Sequence, residues 1–201
     1  MNDTLHTFLR SRRSIRRFRP EPIPTEVLDR ILTTATFAPS AHNGQPWRFV
    51  VLVTPESRSR LIVNLAGKFC RDMTADGMPE RDIQDRTERT SRRIKEAPII
   101  VVLCQDLTRV NTQSDKVRML TELKMGAQSI AVAGLQILLA AQVEGLGGTW
   151  ICWPLFAPEE TRQALNLPQE WEPQAMIFLG YPAENPEVPK RIPMENIVIY
   201  R

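Results

Sequence analysis

The chain has 201 residues, of which 42% are hydrophobic and 24% are charged, and its formal net charge is +3. This length and composition predict one globular domain, residues 1–201, and exclude a disordered or fibrous chain. Three cysteines without a C-x-x-C pair argue against a disulfide scaffold or a zinc site and favour a cytoplasmic protein. With only two histidines we expect no metal site. We also expect neither a membrane span nor a secretion signal.

A basic stretch near the N-terminus carries the positive excess of the chain. Residues 3–11 predict a short amphipathic helix, and residues 10–19 hold six arginines. Of 26 basic residues, the 20 outside this stretch face 23 acidic ones, so the rest of the chain has a net charge of −3. Ile15 and Phe18 interrupt the arginines, which indicates a loop anchored on a core. Because a guanidinium makes paired hydrogen bonds to phosphate and carboxylate, the stretch predicts an anion site.

Three other interpretations of this basic stretch stay open. A short basic run is also typical of a nucleic-acid patch or a targeting signal. It could begin a signal peptide, but no apolar segment of roughly 7–15 residues follows it. It could equally be one face of a solvated helix.

The next predicted elements are a helix, a polar loop and a strand. Thr25 is a plausible N-cap for a helix that ends near Ala38, since Pro39 disfavours helical geometry in the residue before it. Residues 39–49 form a proline-bracketed loop rich in hydrogen-bonding side chains, which is typical of a binding loop. The alternative is a turn that only needs its Ser, Asn and Gly residues. The apolar residues 49–53 then predict a buried strand.

The middle of the chain is predicted to hold a helix, a polar excursion and a second strand. The helix runs from Pro55 to about Gly67. Residues 68–96, with a helix only from about Arg86, are interpreted as a mobile excursion that could act as a lid, or as a solvated face. Residues 98–104 form the strand, and Cys104 is expected to be a small core residue rather than a nucleophile.

The longest predicted helix covers residues 115–143 and would be about 43 Å long. Its second half, residues 130–141, is apolar almost all round except for Gln136. A helix that is apolar on all sides must be buried on all sides. A chain of 201 residues has little material for this, so we expect a subunit interface.

The C-terminal third begins with a glycine-rich turn. The G-x-G at residues 145–147 follows a helix and precedes a strand at residues 150–153, which is the reverse of a Rossmann fingerprint. A surface helix is predicted over residues 158–167 and a core strand over residues 175–181. The proline-rich end leads to an apolar segment, residues 197–200, that we expect to form a strand and pair with another element or subunit.

The sequence offers no metal cluster, no Ser-His-Asp set and no obvious acid–base pair, so its chemistry is expected to come from a cofactor. Residues 12–18 (RRSIRRF) and 39–49 (PSAHNGQPWRF), with the later glycine turn and Arg191, resemble the FMN-dependent nitroreductase family over the whole chain. That resemblance implies an α+β three-layer sandwich with a central, mainly antiparallel sheet flanked by helices. It also implies a domain-swapped homodimer with FMN at the interface.

The resemblance assigns cofactor-binding residues by position. Residues of the arginine loop, residues 12–19, would hold the FMN phosphate, the ribityl chain and the N1/O2 edge of the ring. The polar loop, residues 39–49, would come from the opposite subunit. Backbone of residues 147–152 would face flavin N5, and the tail would reach the phosphate. The full set is Arg12, Arg13, Ser14, Arg16, Pro39, Ser40, Ala41, Asn43, Gln45, Gly147, Gly148, Trp150, Ile151, Cys152, Lys190 and Arg191. No catalytic side chain is assigned, because the flavin itself carries out the chemistry.

A narrower likeness points to one branch of the family. The stretches 75–81, 143–147 and 171–181 are similar to the C-terminal FMN domain of the bifunctional deazaflavin-coenzyme glutamate ligase. The implied function is hydride transfer from NAD(P)H through FMN to a nitroaromatic, a quinone or a deazaflavin-type acceptor. The alternative is a protein that binds FMN or a deazaflavin coenzyme without turnover. We expect the partner to be a small-molecule acceptor. We expect no nucleic-acid partner and no membrane partner.

Overall fold

The computed structural model describes residues 2–201 and contains, within them, seven α-helices and four β-strands. Three single turns of 3₁₀ helix lie in the connections. The helices are α1 (Asn2–Ser11), α2 (Thr25–Ala35), α3 (Pro55–Ala75), α4 (Glu80–Glu96), α5 (Lys116–Val143), α6 (Trp153–Phe156) and α7 (Pro158–Leu165). The strands are β1 (Trp47–Leu52), β2 (Ile99–Asp106), β3 (Gly147–Ile151) and β4 (Trp171–Gly180).

The four strands form one sheet in the order β1-β2-β4-β3, and every neighbouring pair is antiparallel. The central strands are apolar on both faces, as expected of strands covered on both sides. In β2, Val101 and Leu103 face α2 and α5, whereas Ile100, Val102 and Cys104 face α3, α4 and α7. The molecule is therefore the three-layer α+β sandwich that the resemblance implied.

Helix α5 is the central element of one helical layer. Its buried residues pack on the sheet and on α2, and the aspartate before it, Asp115, caps its N-terminus by accepting the Arg118 N–H at 2.9 Å. By length and composition alone α5 could cross a membrane, but half of its most apolar window is buried in the protein. Such burial is typical of the core helix of a globular domain.

Gly134 lets α5 approach β3 closely. A Cβ at this position would overlap the Trp150 ring, whereas a Cβ at Gly67, also inside a helix, would come no closer than 3.5 Å to the tip of Arg71. We expect Gly134→Ala to lower the free energy of unfolding by about 1–3 kcal/mol through overpacking. Gly67→Ala should instead raise it by up to about 1 kcal/mol, because alanine favours the helix. Urea unfolding of both variants measures the contrast, and equal effects would contradict the close packing.

The opposite layer corrects the interpretation of residues 68–96. This segment is not an irregular excursion: α3 continues to Ala75 and α4 begins already at Glu80, so the two helices form an antiparallel hairpin. Ile83 and Ile94 are buried against the core, and the charged residues between them lie on the outer faces. The sequence pattern predicted too little helix in this segment, because two apolar residues on a highly charged helix give a weak periodic signal.

Smaller differences concern where elements begin and end. Pro24 occupies the N-cap position of α2 and Thr25 is its first helical residue, and a turn rather than helix leads from Ala35 to Ala38. Strand β3 spans Gly147–Ile151, and Trp153 starts α6 instead of ending a strand. The predicted strand at residues 197–200 is not formed within residues 2–201: Ile197 lies in a turn, the Val198 N–H donates to the Met194 carbonyl at 3.0 Å, and most of these residues are exposed. A strand needs a neighbour for its backbone hydrogen bonds.

Candidate active site

The arginine loop lies along the edge of the sheet formed by β3 and the residue that follows β4. The Ile15 N–H donates to the Gly148 carbonyl at 3.0 Å, and the Arg19 N–H donates to the Tyr181 carbonyl at 2.8 Å. Ile15 is only 7% exposed, and Phe18 is half-buried against the core. The prediction of a loop anchored by its apolar residues is confirmed.

Glycine at position 147 permits this docking. A Cβ on Gly147 would overlap the Ile15 side chain and press on Pro182. The glycine turn after α5 therefore has a packing role in addition to ending the helix. It brings the backbone of the arginine loop directly beside β3.

Two adjoining cavities lie where the arginine loop meets α5 and β3. They share Arg12 and Leu138 and have volumes of about 200 and 230 Å³. Of the residues assigned to the cofactor, the structure brings six together around these cavities: Arg12, Arg13, Ser14, Gly147, Gly148 and Trp150. Ile151 and Cys152 follow directly on the same strand.

The two arginines at these cavities differ in what they contact. Arg13 Nη1 donates to the carbonyls of Arg10 and Arg12 at 2.7 and 2.8 Å, so its guanidinium holds the loop together. Arg12 is half-buried, and within residues 2–201 its guanidinium has no hydrogen-bond or ion-pair partner. A partly desolvated cation without an acceptor favours an anionic ligand.

Gln142 adds a second polar group that lacks a partner. Its Nε2 donates to the Phe8 carbonyl at 3.0 Å and to Ser11 Oγ at 2.7 Å. Its Oε1 is buried and accepts no hydrogen bond from any group in residues 2–201, although the residue lines the 200 Å³ cavity. Buried acceptors normally have donors, so this oxygen is an unsatisfied polar group in a residue that lines the cavity.

Arg16 is exposed and lies outside both cavities. Its Nη1 is 3.4 Å from the Ser14 carbonyl, which places the guanidinium on the Ser14 side of the loop. The Glu184 carboxylate accepts the backbone N–H groups of Arg16 and Arg17 at 2.6 and 3.1 Å. Glu184 therefore fixes the loop backbone and leaves the arginine side chains free of that carboxylate.

The polar loop forms a separate cavity of about 290 Å³ in front of β1. It is lined by Ala41, Asn43 and neighbouring residues together with Arg109 and Glu122. His42, Asn43 and Gln45 have φ angles of 54°, 51° and 48°. Left-handed geometry is unfavourable for non-glycine residues and concentrates at functional sites. This strain favours a binding loop over a turn that exists only for its shape.

Hydrogen bonds within the polar loop hold these residues in place. Ser40 Oγ accepts the Gln45 N–H at 3.1 Å, and Gln45 Nε2 donates to Asn43 Oδ1 at 3.1 Å. Arg109 Nε donates to the Gly44 carbonyl at 3.0 Å from the connection after β2. Pro39 is exposed and precedes the first of these hydrogen-bonding residues. The loop therefore presents a fixed set of amide groups.

Asp106 supports this loop from the end of β2. Its N–H donates to the Pro46 carbonyl at 2.7 Å, and its carboxylate accepts the Thr108 N–H at 2.9 Å and pairs with the Arg48 guanidinium at 2.5 Å. Burial alone would raise the pKa of Asp106, but the hydrogen bonds from Thr108 and the charge of Arg48 outweigh it and lower the pKa. The group is thus held ionised.

We expect Asp106→Asn to lower the free energy of unfolding by about 1.5–3 kcal/mol at pH 7, since charged hydrogen bonds are lost. Because the folded-state pKa is depressed, this stabilisation is fully present above the ordinary aspartate pKa of about 4 and is lost as the pH falls below it. Thermal melting at pH 7 and at pH 3 measures the effect. A gap between wild type and variant that stays constant across this range would contradict it.

The two halves of the predicted site lie at opposite edges of the sheet. The polar loop precedes β1, and the arginine loop pairs with β3, with β2 and β4 between them. At about 4.8 Å per strand, three strand spacings separate β1 from β3 by about 14 Å. Within one chain the two halves therefore line separate cavities. Lys190 and Arg191 also lie in the exposed tail, away from every cavity described above.

The outer face of α5 is apolar and exposed beside the arginine-loop cavities. Val132 is 37% and Leu135 is 48% exposed, and Leu135 lines the 230 Å³ cavity. The tail adds Ile192, Met194 and Ile199, which are each more than 60% exposed. Within one chain α5 is therefore buried against the sheet and α2, and its outer face stays exposed.

The thiols do not form a reactive centre. Burial raises the pKa of Cys104 to about 12, so it is a core residue, as predicted. Cys152 is exposed at the end of β3, and its sulfur accepts the Trp150 Nε1–H at 3.0 Å. No group of three or more metal-ligating side chains occurs in the described part of the chain.

Comparison with known proteins identifies the family to which this chain belongs. Residues 9–181 match the nitroreductase family, which is most of the chain. The chain belongs to the nitroreductase family. It is 31% identical over 191 residues to 5,6-dimethylbenzimidazole synthase of Rhodospirillum rubrum, covering 94% of this chain and 86% of the relative.

Solved structures of nitroreductase-family proteins agree with this assignment. Nitroreductase A from Vibrio parahaemolyticus superposes with a TM-score of 0.76 at 29% identity, covering 100% of this chain and 76% of that structure. NADPH:FMN oxidoreductase from Vibrio harveyi, solved in complex with NAD⁺, gives a TM-score of 0.76 at 26% identity, covering 99% and 77%. The narrower likeness to the glutamate-ligase domain does not emerge from these comparisons.

Several residues at the site were missed from the sequence. Gln142 and Leu138 looked like ordinary members of a buried helix, and Glu184 looked like part of a polar tail. Only the packing of α5 and the turn after β4 against the arginine loop reveals them. Arg109 and Glu122, from two different elements, meet the polar loop for the same reason.

Proposed function

We propose that the protein is an FMN-dependent oxidoreductase that uses NAD(P)H as electron donor and a small molecule as acceptor. The unpaired, half-buried Arg12 guanidinium at the edge of the arginine-loop cavities is the observation that carries this proposal. Family membership supports an oxidoreductase, and the related Vibrio harveyi enzyme is named for NADPH and FMN.

The residues present fit FMN. Arg12, with Arg16 on the Ser14 side of the loop, supplies cations for a phosphate or for the electron-rich edge of the ring. Gln142 places a polar side chain beside the same cavity. Trp150 lines one cavity, and Gly147 and Gly148 line the other. Lys190 and Arg191 are proposed to approach the phosphate from the tail.

The chemistry supplied by bound FMN is acceptance of a hydride from NAD(P)H and its transfer to an acceptor. The side chains of this chain bind and orient; none of them is assigned a covalent step. A cation held near the ring edge favours the negatively charged reduced form, because opposite charges attract strongly where water is partly excluded. We therefore propose that Arg12 and Arg16 contribute to the reduction potential as well as to binding.

We propose that the working unit is a homodimer in which each site uses both subunits. The arginine loop and β3 come from one chain, and Ser40, Asn43 and Gln45 come from the other. The separation of these halves across the sheet and the exposed apolar face of α5 both favour this arrangement. We further propose that the tail, residues 182–201, crosses to the partner as an exchanged arm, in a cytoplasmic protein.

The acceptor class is proposed to include nitroaromatics, quinones and deazaflavin-type compounds. The last of these rests on the sequence likeness to the glutamate-ligase FMN domain. Part of that likeness falls on residues 75–81, the turn between α3 and α4. It is a proposal about the acceptor only.

Steady-state turnover tests the proposal. FMN-reconstituted protein should oxidise NADH or NADPH faster when nitrofurazone, menadione or a dehydro-deazaflavin is added, and the acceptor giving the highest kcat/KM identifies the class. The apoprotein provides the blank. FMN binding without acceptor-dependent NAD(P)H oxidation would contradict a reductase and favour a flavin-binding protein.

A further inference from the structure

A cavity of about 340 Å³ lies between α3 and α4, on the layer opposite to α5 and the arginine-loop cavities. Its floor is apolar: Phe69 and Trp153 are half-buried against the core, and Met73 lies one turn beyond Phe69 on α3. This volume is within the range of small-molecule sites. The cavity is therefore separate from the proposed flavin site.

Three arginines on one face of α4 border this cavity. Arg86, Arg89 and Arg93 follow the spacing of successive helical turns, and all three line the same space. Throughout residues 2–201, no carboxylate or carbonyl accepts a hydrogen bond or ion pair from any of their guanidiniums. The one acidic residue in the lining, Asp72, already binds the Lys68 ammonium at 2.6 Å.

The charges near this face of α4 are mixed: Asp82 and Asp85 stand four residues before Arg86 and Arg89, but the residue four before Arg93 is an arginine. Like charges three and four residues apart repel one another on a helix, and Arg89 and Arg93 stand four apart. Other basic residues nearby are paired: Lys68 binds Asp72, and Arg71 binds Glu160 at 3.0 Å. An anion shared by the three guanidiniums would remove the repulsion. An apolar group attached to that anion would cover Phe69, Met73 and Trp153.

We propose that the α3–α4 cavity is a binding site for a small amphipathic anion, with a carboxylate or similar acidic group at the arginines and an apolar body on the floor. The ligand reaches Trp153, two residues beyond the end of β3, from the opposite side of the sheet to the flavin site. Binding here does not depend on the assignment of FMN.

Calorimetric titration of the flavin-loaded protein with phenylbutyrate, an apolar ring carrying one carboxylate, tests this site. We expect saturable binding of one molecule per chain. Arg89→Gln combined with Arg93→Gln should weaken it at least about 10-fold, since charged hydrogen bonds are lost. Thr90→Trp keeps every charge but fills the cavity, and it should also abolish binding. The neutral analogue phenylbutanol should bind at least about 10-fold more weakly.

Arg81→Gln is the matched control, because Arg81 is an exposed arginine of the same helix that does not line the cavity. It should leave phenylbutyrate affinity unchanged. Three outcomes would overturn the proposal: no saturable binding to wild type, equal affinity in wild type and the double variant, or equal weakening by Arg81→Gln. Thermal melting of each variant verifies that the fold is intact before titration.

Discussion

Arg12→Ala combined with Arg16→Ala is expected to yield a folded protein that purifies without flavin. Arg12 contributes a partly desolvated cation with no partner of its own, and Arg16 contributes a second cation on the Ser14 side of the loop. Charged hydrogen bonds contribute about 1.5–3 kcal/mol each. Losing two should raise the Kd for FMN about 10²–10⁴-fold, which fluorescence titration of the apoprotein measures.

Arg17→Ala combined with Arg19→Ala is the matched control for this experiment. It removes the same charge from the same loop. Arg19 instead contacts Glu21 at 3.3 Å and lies over the Tyr181 ring, and neither arginine lines the cavities. This control should retain FMN. Retention of FMN by the Arg12/Arg16 variant, or equal loss in both, would remove the basis for the site.

The second large effect is expected from Leu120→Glu combined with Val132→Glu. Both residues are exposed on α5, at 46% and 37%, and neither lines a described cavity. Two carboxylates among the exposed apolar residues of α5 should split the proposed dimer into monomers, because charges are costly to bury in an interface. FMN affinity should fall at least about 100-fold, since the polar loop of the second chain is lost.

Val63→Glu is the control for that variant, because Val63 is 70% exposed on α3, in the opposite layer. It should remain dimeric and yellow. Light scattering coupled to gel filtration gives the mass, and absorbance gives the flavin content of the same peak. A monomer that keeps FMN would show that one chain holds the whole site; an intact dimer would place the interface elsewhere.

The sequence was sufficient for the features that depend on strong local patterns. The apolar runs predicted β1, β2 and β4 within a few residues, and the apolar length of α5 predicted its span. Ile15 and Phe18, set among arginines, indicated a docked loop, and the docking is observed. These features were predicted correctly because the hydrophobic pattern that determines them is local in the sequence.

The incorrect predictions concern features that a local sequence pattern does not determine. Helix α4 is so highly charged that only Ile83 and Ile94 mark its inner face, and it was divided between an excursion and a shorter helix. Gln142 and Glu184 became site residues only when distant segments met. The strand expected at residues 197–200 forms no ladder within residues 2–201, and its pairing with another subunit stays a prediction.

The most direct test of the central claim is an anaerobic titration of freshly purified protein with NADH and then NADPH, followed by its visible absorption spectrum. We predict a yellow protein whose flavin bands bleach with at least one donor, at one equivalent of donor per bound FMN. Protein that stays colourless even after incubation with FMN, or flavin bands that persist with both donors, would contradict an FMN-dependent NAD(P)H oxidoreductase.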